Sequence, residues 1–101
     1  MSRYILSTSV ASDLDTIWDY IAQDNISAAD RWIEKLFDAF ETIAKSPGIG
    51  HHREDLTHLP VLFWPVGAYQ ILYRRYPEFI EIIAVTQGSR DIPTFLSQRI
   101  S

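Results

Sequence analysis

Apolar residues recur at helical spacing in the first half of the chain and at strand spacing in the second. Val10, Leu14, Ile17, Trp18 and Ile21 fall on one helical face, while Asp13, Asp15 and Asp19 fill the other. A helix can bury such a stripe and leave its acids in water. The pattern predicts a helix from Val10 to Asp24, with a hydroxyl of Ser7-Thr8-Ser9 as its cap. The early aspartates suit the positive end of the helix dipole. Asn25-Ile26-Ser27 is a break, and Ser27 with Asp30 resembles a capping box. Ala29, Trp32, Ile33, Leu36, Ala39, Phe40 and Ile43 then predict a second helix from Ala28 to Lys45, stopped by Ser46-Pro47-Gly48. The short connection implies an antiparallel helical hairpin.

Strands are expected at Tyr4–Leu6, Leu59–Pro65, Ala68–Arg75 and Phe79–Thr86. Pro60 and Pro65 favour an edge position for the second of these. The last is the most apolar and is expected at the centre. Asp91 is placed to cap a final short helix, with Pro93 in its first turn. The order is β-α-α-β-β-β-(α). It indicates an α+β fold with the helical hairpin on one face of a small antiparallel sheet. A chain of 101 residues is expected to form one domain, residues 1–101.

Charge adds an asymmetry. Eight of the thirteen acids precede residue 47, while all three histidines and five of the nine bases follow it. A net charge of −4 makes general RNA or DNA binding a poor expectation, because such binding runs on phosphate neutralisation. A local arginine cluster remains able to take one phosphate or one acidic helix. There is no cysteine, which fits a cytoplasmic protein. Neither a signal peptide nor a transmembrane run is visible.

The chemistry-bearing residues lie between Gly50 and Asp91. His51, His52 and His58 lack the spacing of helical or zinc-finger ligand sets, so no metal or other cofactor is expected. Attack by a 2′-hydroxyl needs a base, an acid and cations for the developing charge. His51 or His52 fits the base of such a ribonuclease, and Arg53, Arg74, Arg75 and Arg90 its phosphate contacts. The competing reading pairs these arginines with Glu54, Asp55, Glu81 and Asp91. Trp18 and Trp32 lie on apolar stripes. Leu62, Phe63 and Trp64 are consecutive in a strand and cannot all face one side of a sheet. At least one is expected to be exposed or to be covered by something else, and an exposed aromatic on an edge strand calls for a covering partner.

Several segments together resemble the RelE/ParE superfamily of type II toxins, which includes proteins called plasmid stabilisation proteins. They are Ala11, Asp13, Leu14, Ile17, Tyr20, Ile21 and Ala22; Ala29 and Phe40; and Ser46-Pro47-Gly48. Gly50-His51-x-Arg53-Glu54-Asp55-Leu56-Thr57 is the most specific of them. Pro60–Val66, Tyr69-x-Ile71-x-Tyr73-Arg74 and Gly88-x-Arg90-Asp91 follow in order. The set is similar to the ParE branch.

The resemblance implies a cognate antitoxin, ParD-like or related, whose C-terminal segment wraps the toxin as a hetero-oligomer. It also implies either of two actions, poisoning of DNA gyrase or cleavage of mRNA on the ribosome. The nucleases of the superfamily use lysines and a C-terminal tyrosine or histidine. Here both lysines, Lys35 and Lys45, lie in the second helix, and no Tyr, His or Lys follows Arg90. The gyrase reading is therefore preferred, with no catalytic residue and no sequence-specific DNA binding by this chain alone. In the nuclease alternative, His51, His52, Arg53, Arg74 and Arg90 carry the chemistry, with Tyr73 and Tyr76 as further acid–base candidates. An inert relative that only binds antitoxin is the third possibility. Antitoxin contacts are expected at Asp13, Trp18, Asp19, Trp32, Asp38, Glu41 and Trp64, and target contacts at Arg53, Arg74, Arg75 and Arg90.

Overall fold

A computed structural model describes residues 3–88 and 91–99. Strand β1 (Tyr4–Leu6) leads into helices α1 (Val10–Ala22) and α2 (Ile26–Lys45). Strands β2 (Leu62–Val66), β3 (Tyr69–Arg75) and β4 (Ile80–Gln87) follow, and helix α3 (Ile92–Arg99) ends the described chain. The α+β order expected from the pattern is therefore observed. The strands line up as β1-β4-β3-β2. The last three are antiparallel, whereas β1 joins the edge of β4 in parallel, so the sheet is mixed. As expected, β2 is an edge strand and β4 is central.

Helices α1 and α2 cover one face. Val10, Leu14, Ile17, Leu36, Phe40 and Ile43 meet Leu62, Ile71, Tyr73, Ile80, Ile82 and Val85 there. Leu36, Phe40 and Ile43 are 0 % exposed. Each such side chain contributes about 2–3 kcal/mol of transfer free energy. The opposite face holds a second cluster of Val61, Phe63, Leu72, Ile83, Ala84, Ile92 and Leu96, with Leu56 and Phe95 packed against it. Helix α3 and the loop before β2 therefore cover the side that a hairpin-on-sheet picture leaves bare. Two covered faces explain why Leu62 and Phe63 are both buried although they point to opposite sides.

Some boundaries and caps differ from expectation. The cap of α2 is Asn25, whose Oδ1 accepts from the Ala28 N–H at 2.9 Å. Ser27 instead accepts from Arg31. At α1 the Ser9 side chain makes no capping bond, and the Ser7 hydroxyl donates to Ile83 O at 3.1 Å. β2 starts at Leu62 because Thr57 Oγ1 and a tight Val61 N–H to Leu59 O bond turn the chain before it. Asp91 does cap α3, accepting from the N–H and hydroxyl of Thr94.

Leu72 pairs with Ala84 and Tyr73 with Ile82, which leaves Ile83 as an extra residue on β4. Such a bulge frees backbone groups from the ladder. The Ile83 carbonyl accepts from Ser7 Oγ and from Arg99 Nη1, and the Val85 N–H donates to Asp13 Oδ2. β1 is too short to reach these groups, so side chains from three other segments satisfy them.

Candidate functional site

The loop between α2 and β2 folds along the outer edge of β2. The His51 N–H donates to Phe63 O at 2.9 Å, and the Phe63 N–H donates back to His51 O at 2.8 Å. This single bridge occupies the outward groups of Phe63. Pro65, two positions on, faces the same way and has no N–H, so the edge is closed to strand addition. The His51 ring stacks beside Trp64 with centroids 6.5 Å apart. Trp64 is half-buried and packs against the helix-side cluster. Of the two outcomes expected for Leu62, Phe63 and Trp64, the structure shows cover by other segments: Leu62 lies under the helices, Phe63 under α3, and Trp64 is half-buried beside the histidine loop.

Tyr73 anchors the same loop. Its hydroxyl donates to Pro47 O at 2.6 Å and accepts from the Gly50 N–H at 2.9 Å. Burial raises its pKa above the ordinary value. A Cβ at Gly50 would lie 2.6 Å from that hydroxyl, so only glycine fits. Tyr73 therefore clamps the loop to β3. His52 and His58 line a shallow depression of about 260 Å³ with Glu54. Among the described residues no group of three or more potential ligands is arranged to hold a metal ion.

The arginines expected to act together are dispersed. Arg53 forms a two-bond pair with Asp55, at 3.0 and 2.9 Å. That hydrogen-bonded pairing raises the Arg53 pKa and lowers that of Asp55. Arg74 and Arg75 alternate to opposite faces of the sheet. Arg74 lies across from Glu81 in register, and its Nε is buried without a hydrogen-bond partner among the described residues. Arg75 lies on the helix side, in a cleft with Arg3, Ala44 and Pro47. Arg90 lies outside the described residues.

The helical hairpin presents a groove of about 280 Å³ lined by Ala11, Leu14, Asp15, Trp18, Ile33 and Phe37. Trp18 is half-buried in it, with Nε1 held by Asp30 Oδ1 at 2.8 Å. Asp19, Asp38 and Glu41 are exposed. The remaining hairpin candidates are placed elsewhere. Asp13 is turned inward to Arg99. Trp32 packs over the β2–β3 turn, edge-on to Tyr69 and under Lys35 Nζ. Sequence reasoning missed Phe37, Arg99 and Arg3. Phe37 could have been found from its position one residue beyond Leu36, at the margin of the apolar stripe. No sequence signal marks Arg3 or Arg99, because only strand register and the return of α3 give them partners.

Comparison with known proteins follows this geometry. The family described as ParE toxin of type II toxin-antitoxin system, parDE, matches residues 4–92. Among solved structures, a chain described as "Chromosomal ParDE TA system from P. aeruginosa" is similar, with a TM-score of 0.70 and 18% identity. The match covers 86% of this chain and 96% of that one, and at such identity it speaks for the fold alone. No curated protein matches the chain.

Proposed function

Because the chain belongs to the ParE toxin family of type II toxin–antitoxin systems, we propose that it is a toxin acting by binding, with DNA gyrase as its target and a cognate antitoxin as its neutralising partner. The family match carries this reading. Binding over RNA cleavage is supported by the engagement of two of the nuclease candidates, Tyr73 and Arg53, in structural contacts. Tyr73 clamps the loop, Arg53 is paired with Asp55, and the His51 backbone closes the β2 edge.

The antitoxin segment lies across the hairpin, its apolar side chains in the groove by Trp18 and Phe37 and its bases against Asp19, Asp38 and Glu41. A helix in a groove is the binding mode that fits such a surface. No helix of the described residues is long and apolar enough to cross a membrane, and we place the action in the cytoplasm with the target.

The test is induction without antitoxin, followed by supercoiling and translation measured separately on purified protein. Growth arrest with lost supercoiling and intact mRNA is expected. Cleaved mRNA in a translating reaction with unaffected gyrase overturns the target assignment. Unimpaired growth overturns the toxin reading and leaves an antitoxin-binding module.

A further inference from the structure

A cleft of about 450 Å³ lies under the last turn of α2, at the rim of the sheet. Arg3, Ala44, Pro47, Arg75 and the turn from Tyr76 to Phe79 line it. Strand register sets its two arginines. The Ile80 N–H donates to Arg3 O at 3.2 Å, and Ile80 is also the cross-strand partner of Arg75. Tyr4 is the β1 partner of Ile80 and Arg3 precedes it, so the Arg3 and Arg75 backbones lie about 10 Å apart, on either side of β4 at its start. Both arginines line this one cleft, and each side chain is long enough to reach an anion held in it.

Both guanidinium groups are available. Neither is paired with a carboxylate among the described residues. Arg75 Nη1 hangs over the turn, 3.5 Å from the place a Cβ on Gly48 would take. Arg3 lies over the Phe79 ring, 5.5 Å from its centroid, and Phe79 stacks on Tyr76 at 4.8 Å and 15°. Stacking on an aromatic face orients a guanidinium while leaving its N–H edge free for an anion. Tyr76 is 40 % exposed and its hydroxyl is held by Glu81 Oε1 at 3.2 Å. It is a fixed, partly exposed ring, stacked on one side by Phe79, in the cleft that the two arginines line.

Two forked cations call for an anion with several oxygens, and phosphate accepts such pairs in bidentate fashion. The adjoining, partly exposed ring calls for a planar group. An acidic peptide would bring several negative charges to a chain of net charge −4, at a cleft that Glu78 also lines. A nucleotide brings its charge on one phosphate and its flat surface on the base. We propose that this cleft binds a nucleotide, with one phosphate between Arg3 and Arg75 and the base on Tyr76. This site goes beyond the toxin reading and does not depend on it.

The test is titration of the full chain with adenosine monophosphate, adenosine and inorganic phosphate, followed by calorimetry and amide shifts. The nucleotide is expected to bind about tenfold tighter than either part, with shifts at Arg3, Gly48, Arg75, Tyr76, Glu78 and Phe79. Arg3→Gln and Arg75→Gln should each weaken it roughly fivefold or more, and Tyr76→Leu should reduce it to about the level of inorganic phosphate. Arg75→Lys keeps the charge and removes the fork, so it should lose affinity with the thermal midpoint unchanged. A 5′-phosphorylated tetranucleotide separates the sources: tighter binding indicates a strand end, and equal binding a free nucleotide. Nucleotide binding unchanged in the Arg3→Gln/Arg75→Gln double variant overturns the site. So does affinity no greater than that of inorganic phosphate, or tighter competition by a hexaglutamate peptide.

Discussion

Arg99 and Asp13, 86 positions apart, form a two-bond ion pair with the guanidinium nitrogens 2.9 and 3.0 Å from the two carboxylate oxygens. Both side chains are largely shielded, at 18% and 12% exposure. Each also bonds the backbone of β4, Arg99 at Ile83 O and Asp13 at the Val85 N–H. The pair thus joins α1, α3 and the bulge in β4, at the point where β1 stops covering that edge.

Removing one partner strands the other, along with a backbone group, in a poorly solvated place. Asp13→Asn should cost about 2–3 kcal/mol in urea unfolding, and Arg99→Gln a similar amount. Because both act on one network, the double variant should lose less than the sum of the two. Additive losses in a double-mutant cycle would mean that the two residues act independently and that the pair is not the tie it looks to be.

Tyr73 ties stability to alkaline pH. Burial holds its pKa above the ordinary 10.0. Burial does the same at Tyr4, helped by Glu41, and at Tyr69, helped by Tyr20. The unfolded chain releases these protons first, so the folded state binds more protons above pH 10. Stability should therefore be fully present below that pH and decline as pH rises toward the folded values. Tyr73→Phe should flatten this decline. It should also cost about 1–3 kcal/mol at neutral pH, since Pro47 O and the Gly50 N–H lose their partner. Denaturant titrations from pH 8 to 11 check both effects, and an unchanged alkaline slope in the variant would clear Tyr73.

Gly67 occupies the tight turn between β2 and β3 with φ of 60°. A Cβ there would come within 2.5 Å of the Trp32 ring. Gly67→Ala should cost roughly 2–3 kcal/mol, about 1 from the left-handed backbone and the rest from displacing the indole. Loss of near-ultraviolet tryptophan ellipticity should accompany it. A loss of only about 1 kcal/mol would show that the indole moves aside freely, and a variant as stable as the parent would overturn both contributions.

The sequence carried the periodic parts of this structure well. The stripe from Val10 to Ile21 and that from Ala29 to Ile43 mark the helices, because each buries one face. The run from Ile80 to Val85 marks the central strand, because both its faces are covered. Pro65 marks the edge. The parallel pairing of β1, the bulge at Ile83 and the covering of Phe63 by α3 were not legible, since each depends on where a distant segment returns. The functional residues suffered most. Asp13 looked like one more surface acid on α1 until α3 brought Arg99 to it. Arg74 and Arg75 looked like one cluster, yet strand alternation sends them to opposite faces.

The hairpin acids give the sharpest test of the antitoxin reading. Asp19, Asp38 and Glu41 are exposed, so replacing them with alanine should leave the fold intact. Exposed charge pairs contribute roughly 0.2–1 kcal/mol each, so the triple variant should bind antitoxin about tenfold more weakly. Most of the loss should fall on the association rate and fade at high salt. Phe37→Ala removes an apolar wall of the groove instead, and should raise the dissociation rate with little salt dependence. Asp13→Asn serves as the contrast, because its charge faces Arg99. At a temperature where it stays folded, it should bind antitoxin with the salt dependence of the parent. Surface plasmon resonance across a salt series separates the three. If the triple alanine variant keeps the parent's rates at every salt concentration, the acids are solvated bystanders and the antitoxin lies elsewhere.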